Sequence, residues 1–111
     1  MPPNGTLRVI DAAEDFTVDV NRSFGPVKGQ KTYSDQIRRA VGSVSANLIE
    51  GYSRGPGPDR LRLYRISRAE CEETLGWIRK AYRMGELGSR DFFRLSNRGV
   101  AIVRMINALK Y

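Results

Sequence analysis

"QIRRAVGSVSANLIEGYSRG", residues 36–55, is the stretch that decides the fold. At about 100° per residue, Ile37, Val41, Val44 and Leu48 fall within about 60° of one another, which is the apolar stripe of an amphipathic helix. Gly42, Ala46 and Ile49 fall roughly opposite. They are small or apolar and let another backbone come close. A helix with two such faces is expected to pack one on its own chain and the other on a second copy. Upstream, "TYSD" offers Thr32 as an N-cap with Asp35 at the reciprocal position. Downstream, Gly51 reads as the C-terminal stop, and "SRGPGPD" (53–59) alternates proline and glycine and cannot be helix.

Working outward, three more helical segments appear. About residues 7–24 place Val9, Ala13, Phe16 and Val20 at helical spacing, and "GPVKGQK" (25–31) breaks the pattern. About residues 59–84 carry a stripe of Leu61, Tyr64, Cys71, Leu75, Ile78 and Tyr82, with Leu63, Ile66 and Trp77 gathered on the far side around Glu70. "GELGS" closes that helix, and Ser89 is expected to cap a fourth that runs to about Leu109. No stretch alternates with period two. Short loops between consecutive helices make antiparallel neighbours, so the expected fold is an all-α, up-down-up-down four-helix bundle. The second faces of helices two and three point to a homo-oligomer whose interface holds Gly42, Ala46, Ile49, Leu63, Ile66 and Trp77. The alternative is that helix rotation absorbs these residues into one core.

A chain of 111 residues supports one domain, read as a frayed lead-in at 1–6 and the bundle at 7–111. No apolar run is long enough for a membrane span, and the start lacks the apolar stretch of a secretory signal. A lone Cys71 inside an apolar pattern fits a core role in a reducing cytoplasm. Charge is the strongest bulk signal: 19 Lys and Arg against 12 Asp and Glu give +7, and 15 of the 19 are Arg. The guanidinium fork suits phosphate, so an anionic polymer is the expected partner; GC-rich coding also enriches arginine. Arg54, Arg60 and Arg62 surround the Pro-Gly turn at a helix N-terminus, a reasonable anion site. Arg90, Arg94, Arg98 and Arg104 lie opposite the apolar stripe of helix four, and Arg38 and Arg39 open helix two. A solvated outer face is the bland reading of the helix-four set. Tyr33, Tyr52 and Tyr111 are scattered, so no stacking platform for single strands is expected.

Catalytic chemistry is missing. The chain has no histidine, so the usual general base and the commonest metal ligand are absent. One cysteine excludes a thiolate metal cluster. Glu70 and Glu73 in "ECEE" read as salt-bridge partners in so basic a chain, and the serines have no base to activate them. Neither an enzyme, nor a cofactor, nor a metal site is expected.

"QIRRAVGSVSANLIEGYSR" (36–54) and "RISRAECEETLGWIRKAYRMGEL" (65–87) resemble the four-helix-bundle family encoded within intervening sequences of bacterial 23S rRNA genes. The matching motifs are Gln36–Ala40, the Asn-x-x-Glu-Gly of Asn47–Gly51, and Ala69–Glu72. In outline the likeness covers about residues 7–109. It implies a four-helix bundle, a ring-shaped pentamer and no catalytic residues. Five copies of a +7 chain carry +35. A related group serves as accessory protein of diversity-generating retroelements, where a basic barrel binds a reverse transcriptase and nucleic acid. Departures are visible. Ser43–Asn47 lacks the family's proline, which predicts a straighter helix two. Ile10 replaces an early aromatic, and the 53–58 loop is richer in proline and glycine. Two functions are expected as alternatives. One is RNA or DNA binding through Arg38, Arg39, Arg54, Arg60, Arg62, Arg90, Arg94 and Arg98. The other is a protein scaffold, for example for a reverse transcriptase.

Overall fold

A computed structural model describes residues 5–24 and 31–111, with side chains in the second helix from Ser34 onward. Four helices follow in chain order: α1 (Gly5–Ser23), α2 (Lys31–Ser53), α3 (Pro58–Arg83) and α4 (Ser89–Asn107). Consecutive helices pack on one another, and α1 also meets α4, which closes a ring of four. Directions follow from cross-helix pairs. Ser67 donates to the Val44 carbonyl while Arg39 reaches Glu73, so α2 and α3 are antiparallel. Cys71 lies beside Gly99 and Arg68 beside Asn107, so α3 and α4 are antiparallel as well. Asp19 meets Arg94, and Gly5 lies beside Leu109. The bundle measures 44 × 23 × 18 Å.

The core follows the expected spacing in α1 and α2: Val9, Ala13, Phe16 and Val20 meet Ile37, Val41, Val44 and Leu48. Several details depart from expectation. α1 begins at Gly5, ahead of the expected lead-in boundary, because Thr6 is buried and its hydroxyl lies 3.1 Å from the Tyr64 hydroxyl. The expected Thr32 cap rests on a side chain outside the described residues, as does the break at 25–30. Gly51 does not stop α2. It is buried inside the helix where the Tyr64 ring comes so close that a Cβ on Gly51 would sit 2.9 Å from two ring carbons. α2 ends two residues later, and Gly55 supplies the left-handed conformation (φ 79°). Ser89 is the first helical residue of α4, not its cap: the capping position is Gly88, with no side-chain bond.

α3 shows the largest difference. Its buried face is Leu63, Tyr64, Ser67, Cys71, Thr74, Ile78 and Ala81, so the stripe is rotated toward α2. Leu63, expected outside, is 6% exposed. Gly51 is the reason: with no side chain there, α3 approaches until Leu63 Cβ would lie 3.2 Å from a Gly51 Cβ. Trp77 is likewise drawn in, half-buried against the core. Leu61 is only half-buried, and Tyr82 turns to the surface to meet α4.

Candidate nucleic-acid interface

Folding decides which arginines are free. At the Pro-Gly turn, Arg54 pairs with Glu50 at 2.9 Å and with Asp59 at 3.6 Å, while Arg62 pairs with Asp59 at 2.9 Å. Arg60 turns back and donates to the Gly51 and Tyr52 carbonyls at 3.0 and 2.6 Å. Those carbonyls belong to the last turn of α2, so Arg60 caps it. Its guanidinium also lies 5.2 Å from the centre of the Tyr52 ring. The expected anion site at the start of α3 therefore holds the chain's own carboxylate, Asp59, in the first helical turn. Pro58 contributes no N–H there.

The same sorting applies elsewhere. Arg39 lies 3.1 Å from Glu73 and 3.9 Å from Glu70, tying α2 to α3. Arg94 holds Asp19 across α1 and α4 through two bonds of 2.8 and 3.2 Å, contacts Ser23, and also pairs with Asp91. Arg98 lies 3.6 Å from Asp19. The Arg94 hydrogen bond, with the Arg98 and Arg22 charges behind it, holds the Asp19 carboxyl below its ordinary range, against the opposing effect of burial. Asp19 and Asp91 push the Arg94 guanidinium the other way, upward. Of the eight arginines expected to contact phosphate, Arg38 and Arg90 alone have no partner among the described residues.

The cations left unpaired on α3 and α4 lie partly elsewhere. Arg65, Arg79, Arg83 and Arg104 have no ion pair among the described residues, and all are exposed. Arg83 and Arg90 flank the α3–α4 turn, where the fold gathers aromatics that sequence spacing left apart. The Tyr82 and Phe92 rings stack with centroids 4.2 Å apart and planes 11° apart. Phe93 stands edge-on to Phe92 at 5.2 Å and is 59% exposed. These rings are not among the three tyrosines, Tyr33, Tyr52 and Tyr111, whose scatter argued against a stacking platform. One signal was available: Phe93 lies three residues after Arg90, on the outer side of α4 and off its core stripe.

The expected self-association face divides. Gly42 is half-buried with open space above it, and Ala46, Ile49 and Ile66 are exposed. Leu63 and Trp77 leave this face for the intramolecular packing described above. Burial pushes the Cys71 thiol up to about 12. No group of acidic, histidine or cysteine residues among those described is arranged to hold a metal ion. No helix of the described residues is long and apolar enough to cross a membrane.

Residues 5–108 match the family described as 23S rRNA-intervening sequence protein. The backbone is similar to the crystal structure of a protein of unknown function from the S23 ribosomal protein family of Bacteroides thetaiotaomicron. The two superpose with a TM-score of 0.85 over 94% of this chain and 96% of that one, at 20% identity. At that identity the likeness shows the fold alone. No curated protein matches this chain.

Proposed function

The chain belongs to the 23S rRNA-intervening sequence protein family, and from that premise we propose that it is a non-catalytic, cytoplasmic homo-oligomer, a pentamer by resemblance, that binds RNA or DNA. One observation carries the reading. Charge is partitioned among the helices: α3 holds seven basic residues against four acidic, and α4 four against one, while α1 holds two against four. The adjacent α3 and α4 thus make one strongly positive side, and α1 is net acidic. A basic side of this kind concentrates polyanions and releases their counterions on binding.

Anisotropy titrations against a structured RNA, a duplex DNA and an unrelated polyanion test it. The expected result is tighter binding to one nucleic acid than to the polyanion, weakening about tenfold or more between about 50 and 200 mM salt. Equal binding to all three, gone by about 200 mM, overturns it.

A second reading, a protein scaffold such as an accessory to a reverse transcriptase, is favoured by the apolar recess on α3. Pro58, Leu61, Ile66 and Ala69 line it between Arg62 and Arg65. Binding to such a partner that barely changes with salt supports this reading instead.

A further inference from the structure

We propose that the end of the bundle at the α3–α4 turn is a site for single-stranded nucleic acid, in which Phe93 stacks on a base and Arg79, Arg83 and Arg90 neutralise flanking phosphates. This rests on the nucleic-acid reading above and specifies where and in what form the polymer is held.

The site begins with a turn. Gly85, at φ 77°, closes α3, with the Glu86 amide donating to the Ala81 carbonyl at 2.9 Å and the Gly85 amide to the Tyr82 carbonyl at 3.1 Å. That closure is tight enough for Tyr82 to stack on Phe92. Phe92 packs against the core, so the stacked pair is anchored. Phe93 stands edge-on to Phe92 and is largely exposed, with the exposed Met84 at the same turn. The core makes no use of Phe93. A phenylalanine ring has only two side-chain torsions to fix, so it loses little freedom when a second flat ring covers it.

The charges complete the chemistry. Arg79 precedes Tyr82 by one helical turn, Arg83 follows it, and Arg90 precedes Phe93 by one turn. All three are exposed and have no acidic partner among the described residues. The carboxylates nearby in sequence are Glu86, half-buried in the turn, and Asp91, which is committed to Arg94. Lys80 is directed to the Trp77 ring, 5.3 Å from its centre. Exposed aromatic faces among unpaired guanidiniums match a polymer that alternates flat rings with phosphates. A duplex keeps its bases stacked on one another, and an acidic peptide brings charge without a flat ring at each unit.

The test compares wild type with Phe93→Ala, Phe93→Trp, Arg83→Ala and Arg90→Ala. Each is titrated with fluorescein-labelled oligothymidylate and oligouridylate of about 12 nucleotides, a duplex of equal length, and polyglutamate. Phe93 is a surface side chain, and equal thermal melts confirm that its variants fold. Phe93→Ala is expected to weaken single-strand binding about fivefold or more and to leave the duplex nearly unaffected. Phe93→Trp restores binding, and its added emission over that of Trp77 is quenched by the strand. Arg83→Ala and Arg90→Ala each lower the slope of log affinity against log salt by about 0.7, whereas Phe93→Ala leaves the slope unchanged. Nucleic-acid binding indifferent to Phe93→Ala overturns this site and leaves the broader reading standing. Polyglutamate binding as tight as nucleic acid overturns both.

Discussion

Gly51 and Gly42 are both glycines of α2, and they have opposite reasons for being there. A methyl group at Gly51 would meet the Tyr64 ring at 2.9 Å, and the Tyr64 hydroxyl lies 3.1 Å from that of Thr6. At Gly42 a methyl group meets nothing within 4 Å. Gly51→Ala is therefore expected to destabilise the fold by about 1–3 kcal/mol through overpacking. Gly42→Ala should instead stabilise it by about 0.5–1 kcal/mol through helix propensity. Urea melts of the two variants check both signs. Cys71 gives a second test at this scale. Its sulfur is fully buried and lies 3.5 Å from the Gly99 carbonyl, and burial has pushed its thiol up to about 12. At pH 8 a disulfide reagent should leave it untouched in the native protein and titrate it at once in denaturant. Rapid native labelling would contradict the burial. These roles were only half legible in the sequence. A glycine after an apolar stripe looks like a helix end, and only the ring arriving from another helix marks it as a point of close approach.

At the scale of elements, the Asp19–Arg94 contact fastens α1 to α4. The carboxyl titrates below its ordinary range in the folded chain, so between the folded and unfolded values the unfolded state binds the extra proton. The stabilisation is therefore complete above the unfolded carboxylate value of about 4 and is lost as pH falls through the lower folded value. Arg94 is 40% exposed, so solvent screening holds the effect to about 1 kcal/mol or less. Asp19→Asn should lower stability by that amount at pH 7 and flatten its decline in acid, read as melting temperature between pH 7 and pH 3. A parallel decline in both proteins would assign the acid sensitivity to other groups. The helices themselves were legible, because apolar residues recur at 3.6-residue spacing and glycine or proline separates them. The facing of α3 was less so. Over 26 residues its apolar side chains fit more than one stripe, and contact with α2 chooses between them. Pairing had a similar limit. Asp59 with Arg62 stands three residues apart and was readable, whereas Asp19 and Arg94 are 75 apart and meet only through the fold.

For the whole molecule, self-association and charge carry the consequences. Ile49 is 46% exposed on α2, and Ile66 is exposed on α3, both outside the core that Leu63 and Trp77 join. If these residues face another copy, Ile49→Glu combined with Ile66→Glu is expected to give a monomer of 12.5 kDa with unchanged helix content, read by light scattering and far-ultraviolet circular dichroism. An unchanged oligomer would place the interface elsewhere. Net charge was fully legible in the sequence, but its availability was not, since long-range ion pairs neutralise part of it. The ring order α1–α2–α3–α4 places acidic α1 diagonally across from basic α3, with basic α4 beside it. A single protomer is thus an electric dipole set across the bundle's short axis. Near a polyanion it experiences a torque as well as an attraction. It swings its acidic helix away before contact, so encounters from random directions are funnelled into one approach, with the α3–α4 side leading.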